Sequence, residues 1–516
     1  MRFLCKSLRV AMPVFVFVAL LTSVSAQDIP DHPNKLKFPE LKFEVPSREG
    51  MRHTLKNGMT LWWAQDKGAA GLPALFRLEA VIKTSDMLDP AGKTGLGSFT
   101  MSMMREGGTA THSREKLNRE LDLRAASLGA DIDENYASAS VTCLHRDHAL
   151  CLQLYSSMLR QPAFNQADVD RVRAQWLQSI RHRNDDPSGI EGREWSRLLF
   201  GDHPSARSVT RASVEAITID DMKKWHQQYV QPQNIMLYGS GSLSAGEAVK
   251  ALDTIFAEWK PTGERNAFTV PEATQAAKPG IYLMHRDQAQ AHLRIGLVAY
   301  QREFEDYYPL IVMNQILGGG AFSSRITQEV RVKEGLSYAQ GCRFAMPDLY
   351  KGDFMAYVQT KNETLAFAAR LVMREIARIR DEAVSETDLE TAKQFFIGAF
   401  PQQFSTRGNT VQVFALAEYN GRPENYQEEW RNRIAAVTIA DVQRVAKKYL
   451  KPDQLVIYAL GDVAKIRQGS SDHAIKLADL GMPVTELPLP EPENLTVVPK
   501  TPEQPKPPQT PVEPPK

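Results

Sequence analysis

Residues Val214–Gly241 and Ile434–Gly461 are two copies of one pattern, and this repeat constrains the fold more than any other feature of the chain. The copies read VEAITIDDMKKWHQQYVQPQNIMLYGSG and IAAVTIADVQRVAKKYLKPDQLVIYALG, 220 residues apart with no gap. Ala, Thr, Ile, Asp, Tyr, Pro, Tyr and Gly recur in place. Each copy predicts the same parts. Thr218 or Thr438 caps a helix whose first turn carries acidic residues, where they suit the helix dipole. Apolar residues at helical spacing face a core, Pro232 or Pro452 ends the helix, and a short apolar strand closes on Gly. A gapless match of this length implies a duplicated domain of about 220 residues, within the usual domain range.

The two ends of the chain stand apart from this body. Arg2, Lys6 and Arg9 precede the apolar run Met12–Leu21, and Val24-Ser25-Ala26 offers small residues for cleavage. Residues 1–26 therefore read as a secretory signal peptide, followed by an extension over 27–47. No later stretch is long and apolar enough to cross a bilayer. Of the four cysteines, Cys143, Cys151 and Cys342 lie beyond the cleavage site. They are too few for a disulfide scaffold, and Cys143 and Cys151 are either a bridge or, like Cys342, buried thiols. From Pro483 to Lys516, 12 of 34 residues are proline. Residues 471–516 accordingly predict an extended, mostly disordered tail, either a docking segment or simply solvated. With 62 basic and 61 acidic side chains there is no net field to favour nucleic acid.

Between the ends, the first copy spans 48–262 and the second 280–470, joined by a Pro-rich polar linker over 263–279. In the first copy a hairpin is predicted around Asn57-Gly58, a strand over 74–83, a helix after Gly95, and a Ser113-capped helix reaching Leu128. A strand over 132–144 and helices over 147–159 and 167–183 follow. In the second copy strands are predicted over 280–284, 292–299 and 352–359. Helices are predicted over 307–317, from Ser323 or Ser324 to Glu334, over 363–380 and over 385–404. Strands flanking helix pairs indicate an α+β fold of two duplicated domains, each an antiparallel sheet with helices packed on one side.

The segment Gly95–Thr109, GLGSFTMSMMREGGT, resembles the place in the insulinase/pitrilysin family of zinc peptidases where His-x-x-Glu-His stands. Gly95-Leu96, Phe99, Met103 and the closing Gly-Thr match the frame, whereas Ser98, Met101 and Ser102 replace the His, Glu and His. Phe200-Gly-Asp-His203-Pro204 and NQILGGGAFSSRITQEVRVKEGLSY (314–338) resemble the processing-peptidase-like branch, and the resemblance covers roughly residues 48–462. It implies an insulinase-like roll. The family's third ligand, a Glu on the long helix before Asp185-Asp186-Pro187, is replaced by Gln178 or Ser179. A Ser hydroxyl is a poor zinc donor, and without metal or Glu nothing activates a water. No cofactor is expected on this chain. His112-Ser-Arg-Glu115-Lys116 mimics the motif but ends in Lys, and His145 and His148 lack a third donor nearby.

The resemblance further implies that Arg331 and Tyr338 help bind substrate and stabilise a transition state facing them. A guanidinium and a phenol suit a scissile carbonyl or its oxyanion. The residue-level alternative is that Arg331 pairs with Glu329 or Glu334 and Tyr338 fills a core edge. Gly318-Gly319-Gly320 is either a substrate-contacting loop or a plain turn; it lacks the Lys-Ser/Thr of a phosphate loop. The resulting expectation is a non-catalytic, periplasmic subunit that acts in trans in a heterodimer with a zinc-binding homologue on a peptide substrate. The alternative is a structural or peptide-binding scaffold.

Overall fold

A computed structural model describes residues 42–68, 73–302 and 304–497. The expected signal peptide, residues 27–41 of the extension and the tail beyond residue 497 lie outside the described residues. Of two compact units, residues 1–43 and 44–516, the second contains every element discussed below.

Two six-stranded sheets organise this unit. The first comprises β1 (Arg52–Thr54), β2 (Thr60–Gln65), β3 (Leu75–Ile82), β4 (Ser127–Ile132), β5 (Ala137–Leu144) and β6 (Ile235–Gly241), in the order β1-β2-β6-β3-β5-β4. The second comprises β7 (Gly280–His285), β8 (Gln290–Tyr300), β9 (Ala339–Phe344), β10 (Gly352–Lys361), β11 (Val456–Gly461) and β12 (Val484–Leu487), in the order β12-β7-β11-β8-β10-β9. The repeat supplies β6 and β11 and the helices before them, Ile219–Tyr229 and Ile439–Tyr449. Thr218 with Asp221, and Thr438 with Asp441, close reciprocal capping boxes. Every residue of β6 and β11 is buried, because both strands are covered on both faces.

The α+β class and the duplication are as the sequence implied, and the pairing adds detail. β6 runs parallel to β2, and β11 parallel to β7, so each sheet is mixed. The helix expected to reach Leu128 stops at Asp122, and residues 127–132 form β4, paired along β5. The expected strand over 132–144 is thus a hairpin arm starting at Ala137.

Packing on one side is also incomplete as a description. Alternation along β2 sends Leu61 and Trp63 into the core shared with Phe99, Tyr155 and Trp225. Trp62 and Ala64 point the other way, where Val411, Phe414 and Ala415 of the helix Arg407–Tyr419 cover them. That helix belongs to the second half of the chain. The reverse exchange also occurs. The helix Pro187–Phe200, capped by Asp186 with Pro187 at its first position, sets Ile190, Trp195 and Leu199 against Met355, Tyr458 and Leu460 of the second sheet. Trp195 donates its indole N–H to Asp353 at 2.8 Å, and Glu191 accepts from Arg294 at 2.8 Å. Each large side chain so buried contributes about 1.5–3 kcal/mol.

The tail is ordered as far as it is described, contrary to expectation. β12 pairs parallel with β7, and Asn184 donates to the Pro490 carbonyl at 2.9 Å. Glu493 then accepts from Arg211 at 2.9 Å and Arg181 at 3.1 Å. Pairing at a sheet edge supplies the backbone partners that a Pro-rich composition does not reveal. Cys143, Cys151 and Cys342 are buried free thiols, so the bridge is not formed.

Candidate functional site

The helix Leu96–Glu106 begins at Gly95, whose φ of 97° is a left-handed conformation that only glycine adopts without strain. Asp89 receives the first free donors, accepting from Gly95 N–H at 2.7 Å and Gly97 N–H at 2.9 Å. Burial pushes the Asp89 carboxyl up to about 6 against those hydrogen bonds. Burial, with Asp89, Glu134 and Asp133 close by, likewise raises Asp86 to about 6. Both acids, with Ser98, Glu134 and Arg207, line a cavity of about 110 Å³.

Along this helix Met101 is fully buried with Phe99, Met103 and Met104, and Ser98 and Ser102 are half-buried. The adjacent helix Gln166–Arg181 packs Trp176 edge-on against Phe99 at 5.1 Å, while Gln178 and Ser179 are exposed. Two hydroxyls and a buried thioether do not make a zinc site, which takes imidazole, thiolate or carboxylate donors. Among the described residues, no group of three or more His, Cys, Asp or Glu could hold a metal ion. His112 lies against Thr111 at 2.9 Å, and His145 and His148 stack on one another at 5.0 Å.

In the second half, the helix Phe304–Asn314 widens into a π turn, Gln315–Gly319, instead of opening into the expected glycine loop. At Gly318 a Cβ would meet the Cys342 nitrogen and Sγ at 2.7 Å, so its missing side chain lets this turn press on β9. Gly318 and Gly320 are buried and Gly319 is exposed. Ser324 starts a short helix that passes into a second π segment, Gln328–Lys333, which carries Arg331; Gly335 ends it at φ 62°. π segments often mark functional positions.

Arg331 and Tyr338 are brought together. The Arg331 guanidinium lies 5.3 Å from the centre of the Tyr338 ring and 4.7 Å from that of Phe322. Tyr338 is 88% exposed and Phe322 61%, so neither ring serves as a core edge. Glu329 does not pair with Arg331: it accepts from Arg374 at 2.5 Å and pairs with Lys333. Arg331 forms no ion pair among the described residues, so its donors stay available beside the two rings. Phe322 was missed by sequence reasoning; its signal is an aromatic residue two positions after a glycine run, outside any helical period.

Comparison with known proteins accords with this geometry. Residues 77–211 match the family model described as Insulinase (Peptidase family M16), and residues 216–396 match Peptidase M16 inactive domain. The chain is 23% identical over 382 residues to the Non-peptidase homolog YmxG of Helicobacter pylori, covering 73% of this chain and 87% of that one. It is 24% identical to an uncharacterized zinc protease of Streptomyces coelicolor, covering 69% and 79%. The solved peptidase M16 inactive domain from Pseudomonas fluorescens shares the fold with a TM-score of 0.70 at 23% identity, covering 80% of this chain and 98% of that one. The periplasmic protease PqqL from Escherichia coli shares it with a TM-score of 0.66 at 14% identity, covering 81% and 46%. Two M16 models matched in tandem over one duplicated fold lead to a single conclusion: the chain belongs to the M16 (insulinase) peptidase family.

Proposed function

We propose that this chain is a non-catalytic, periplasmic M16 subunit that binds peptide and presents Arg331 and Tyr338 in trans to a zinc-bearing homologue, which hydrolyses the peptide bond. One observation carries the reading. Arg331 is held between Phe322 and Tyr338 without an acidic partner, while the family's ligand positions carry Ser98, Met101, Ser102 and Gln178 or Ser179. A guanidinium and a phenol aimed at a carbonyl oxygen stabilise charge that develops only in the transition state. Zinc in the partner would supply the activated water. This chain's residues bind and orient the peptide and donate to its carbonyl. The name of the Helicobacter pylori relative and the periplasmic neighbour support the two halves of the reading.

The test is co-expression with an intact M16 homologue from the same genome, followed by peptidase assay of the purified pair. Arg331→Ala should lower turnover by about a hundredfold, the scale of one lost oxyanion donor, and Tyr338→Phe by less. Unchanged turnover in both variants refutes the trans contribution. If no intact homologue is ever bound, the same exposed aromatic surface makes the chain a peptide-binding scaffold.

A further inference from the structure

Phe322 has a second role besides holding Arg331. It also forms one wall of a slot of about 350 Å³ between the π turn and the helix Glu386–Ala399. Ile316 and Ala392 also line the slot, as does Phe395, which is 54% exposed. Asp388 and Thr391 bring polar groups to it. The Asp388 backbone N–H is taken by Ser385 at 3.0 Å, but its carboxylate pairs with no Lys, Arg or His among the described residues. Two exposed phenylalanines on a family-typical scaffold are unusual enough to ask what covers them.

We propose that this slot takes the Lys or Arg side chain of a bound peptide, with Asp388 as the acceptor. The proposal rests on the reading that a peptide lies along Arg331 and Tyr338. Charge complementarity selects the occupant. A lysine or arginine has an apolar stem, which the Ile316, Phe322 and Phe395 surfaces cover, and a cationic head, which the free carboxylate receives. The phenylalanine faces favour the same cation, and they leave an acidic side chain unsatisfied. Phe322 is next to Arg331 and also lines the slot, so a backbone carbonyl on Arg331 would bring a nearby side chain close to the slot. Asp388 and Phe395 would then be specificity-determining residues.

The experiment measures fluorescence anisotropy of the full-length chain with three fluorescein-labelled decapeptides of Gly, Ser and Leu. They carry Lys, norleucine or Glu at one central position. The Lys peptide should bind about fivefold tighter than the norleucine peptide, the scale of a partly exposed ion pair, and the preference should fade at high salt. D388N should abolish the preference, and D388K should turn it towards the Glu peptide. Equal affinities, no detectable binding, or a Lys preference that survives D388N overturns the proposal. Arg331→Ala should weaken all three peptides alike. A Lys preference that persists while turnover of the heteromeric pair ignores Arg331→Ala refutes only the trans contribution, so the two failures are distinguishable.

Discussion

The two halves pass through the same succession of strands and helices, yet they use equivalent places differently. After β3 the first half builds an unbroken α-helix, Leu96–Glu106, whose Met101 is sealed in the core. After β8 the second half builds a helix that widens into a π turn, and the next helix widens too, leaving Phe322 and Tyr338 on the surface around Arg331. Packing positions agree between the halves because both sheets must be covered, whereas surface positions are free to diverge. Regular backbone accompanies the place sealed in the core, and irregular backbone the place left on the surface.

The exchanged helices offer the strongest test of this pseudo-symmetry. Trp195→Ala should destabilise the protein by about 3–5 kcal/mol in urea unfolding, because it opens a cavity and strips the buried Asp353 of its indole donor. Phe414→Ala, which only empties space over Trp62, should fall at the lower end of that range. If either helix proves dispensable, the halves are not equivalent in how they lock.

Buried acids separate the halves next. In the first half, Asp86 and Asp89 titrate near 6 in the folded protein, above their unfolded values. Their protonation favours the fold, so this stability is full below about pH 4 and is lost as pH rises through 6. In the second half, burial would raise Asp306, but Lys448, Tyr449 and Arg444 outweigh it and hold it at about 2. Its contribution is present above about pH 4 and is lost as pH falls towards 2. Asp86→Asn should therefore add about 1–2 kcal/mol at pH 7 and little at pH 4, read as the unfolding midpoint against pH. A variant no more stable at pH 7 would show that the cavity solvates Asp86.

The repeat itself should respond symmetrically. Thr218→Ala and Thr438→Ala should each cost about 1 kcal/mol, and a gap much beyond that would mean that the Lys93 pair on Asp221 makes the first cap more than a local device. The smallest effect concerns the C-terminal segment. Glu493→Gln, which weakens the pairs with Arg211 and Arg181, should be seen only as faster amide exchange over residues 488–497 with the sheets unaffected.

These contrasts also explain what the sequence disclosed. The capped helices and central strands of the repeat were legible because Thr218, Asp221, Pro232 and their counterparts act within a few residues. SLGADI (127–132) looked like a helix end because Gly129 breaks periodicity; only pairing with β5 makes it a strand. PSGIEGREWSRLLF could be read as amphipathic, but no local signal says that its apolar stripe faces the other half's sheet. At the candidate site the spacing of Arg331 and Tyr338 was visible, whereas Phe322 joins them only through the fold.

The exchange of helices bears on how the chain is made. On an emerging polypeptide, Trp195 and Leu199 leave the ribosome before any strand of the sheet they cover exists. The Trp62 face of the first sheet meanwhile stays bare until residues 407–419 arrive. The first half therefore passes through a sticky interval on two surfaces at once. Separately produced halves would keep those surfaces open, and would be expected to find cover only in each other.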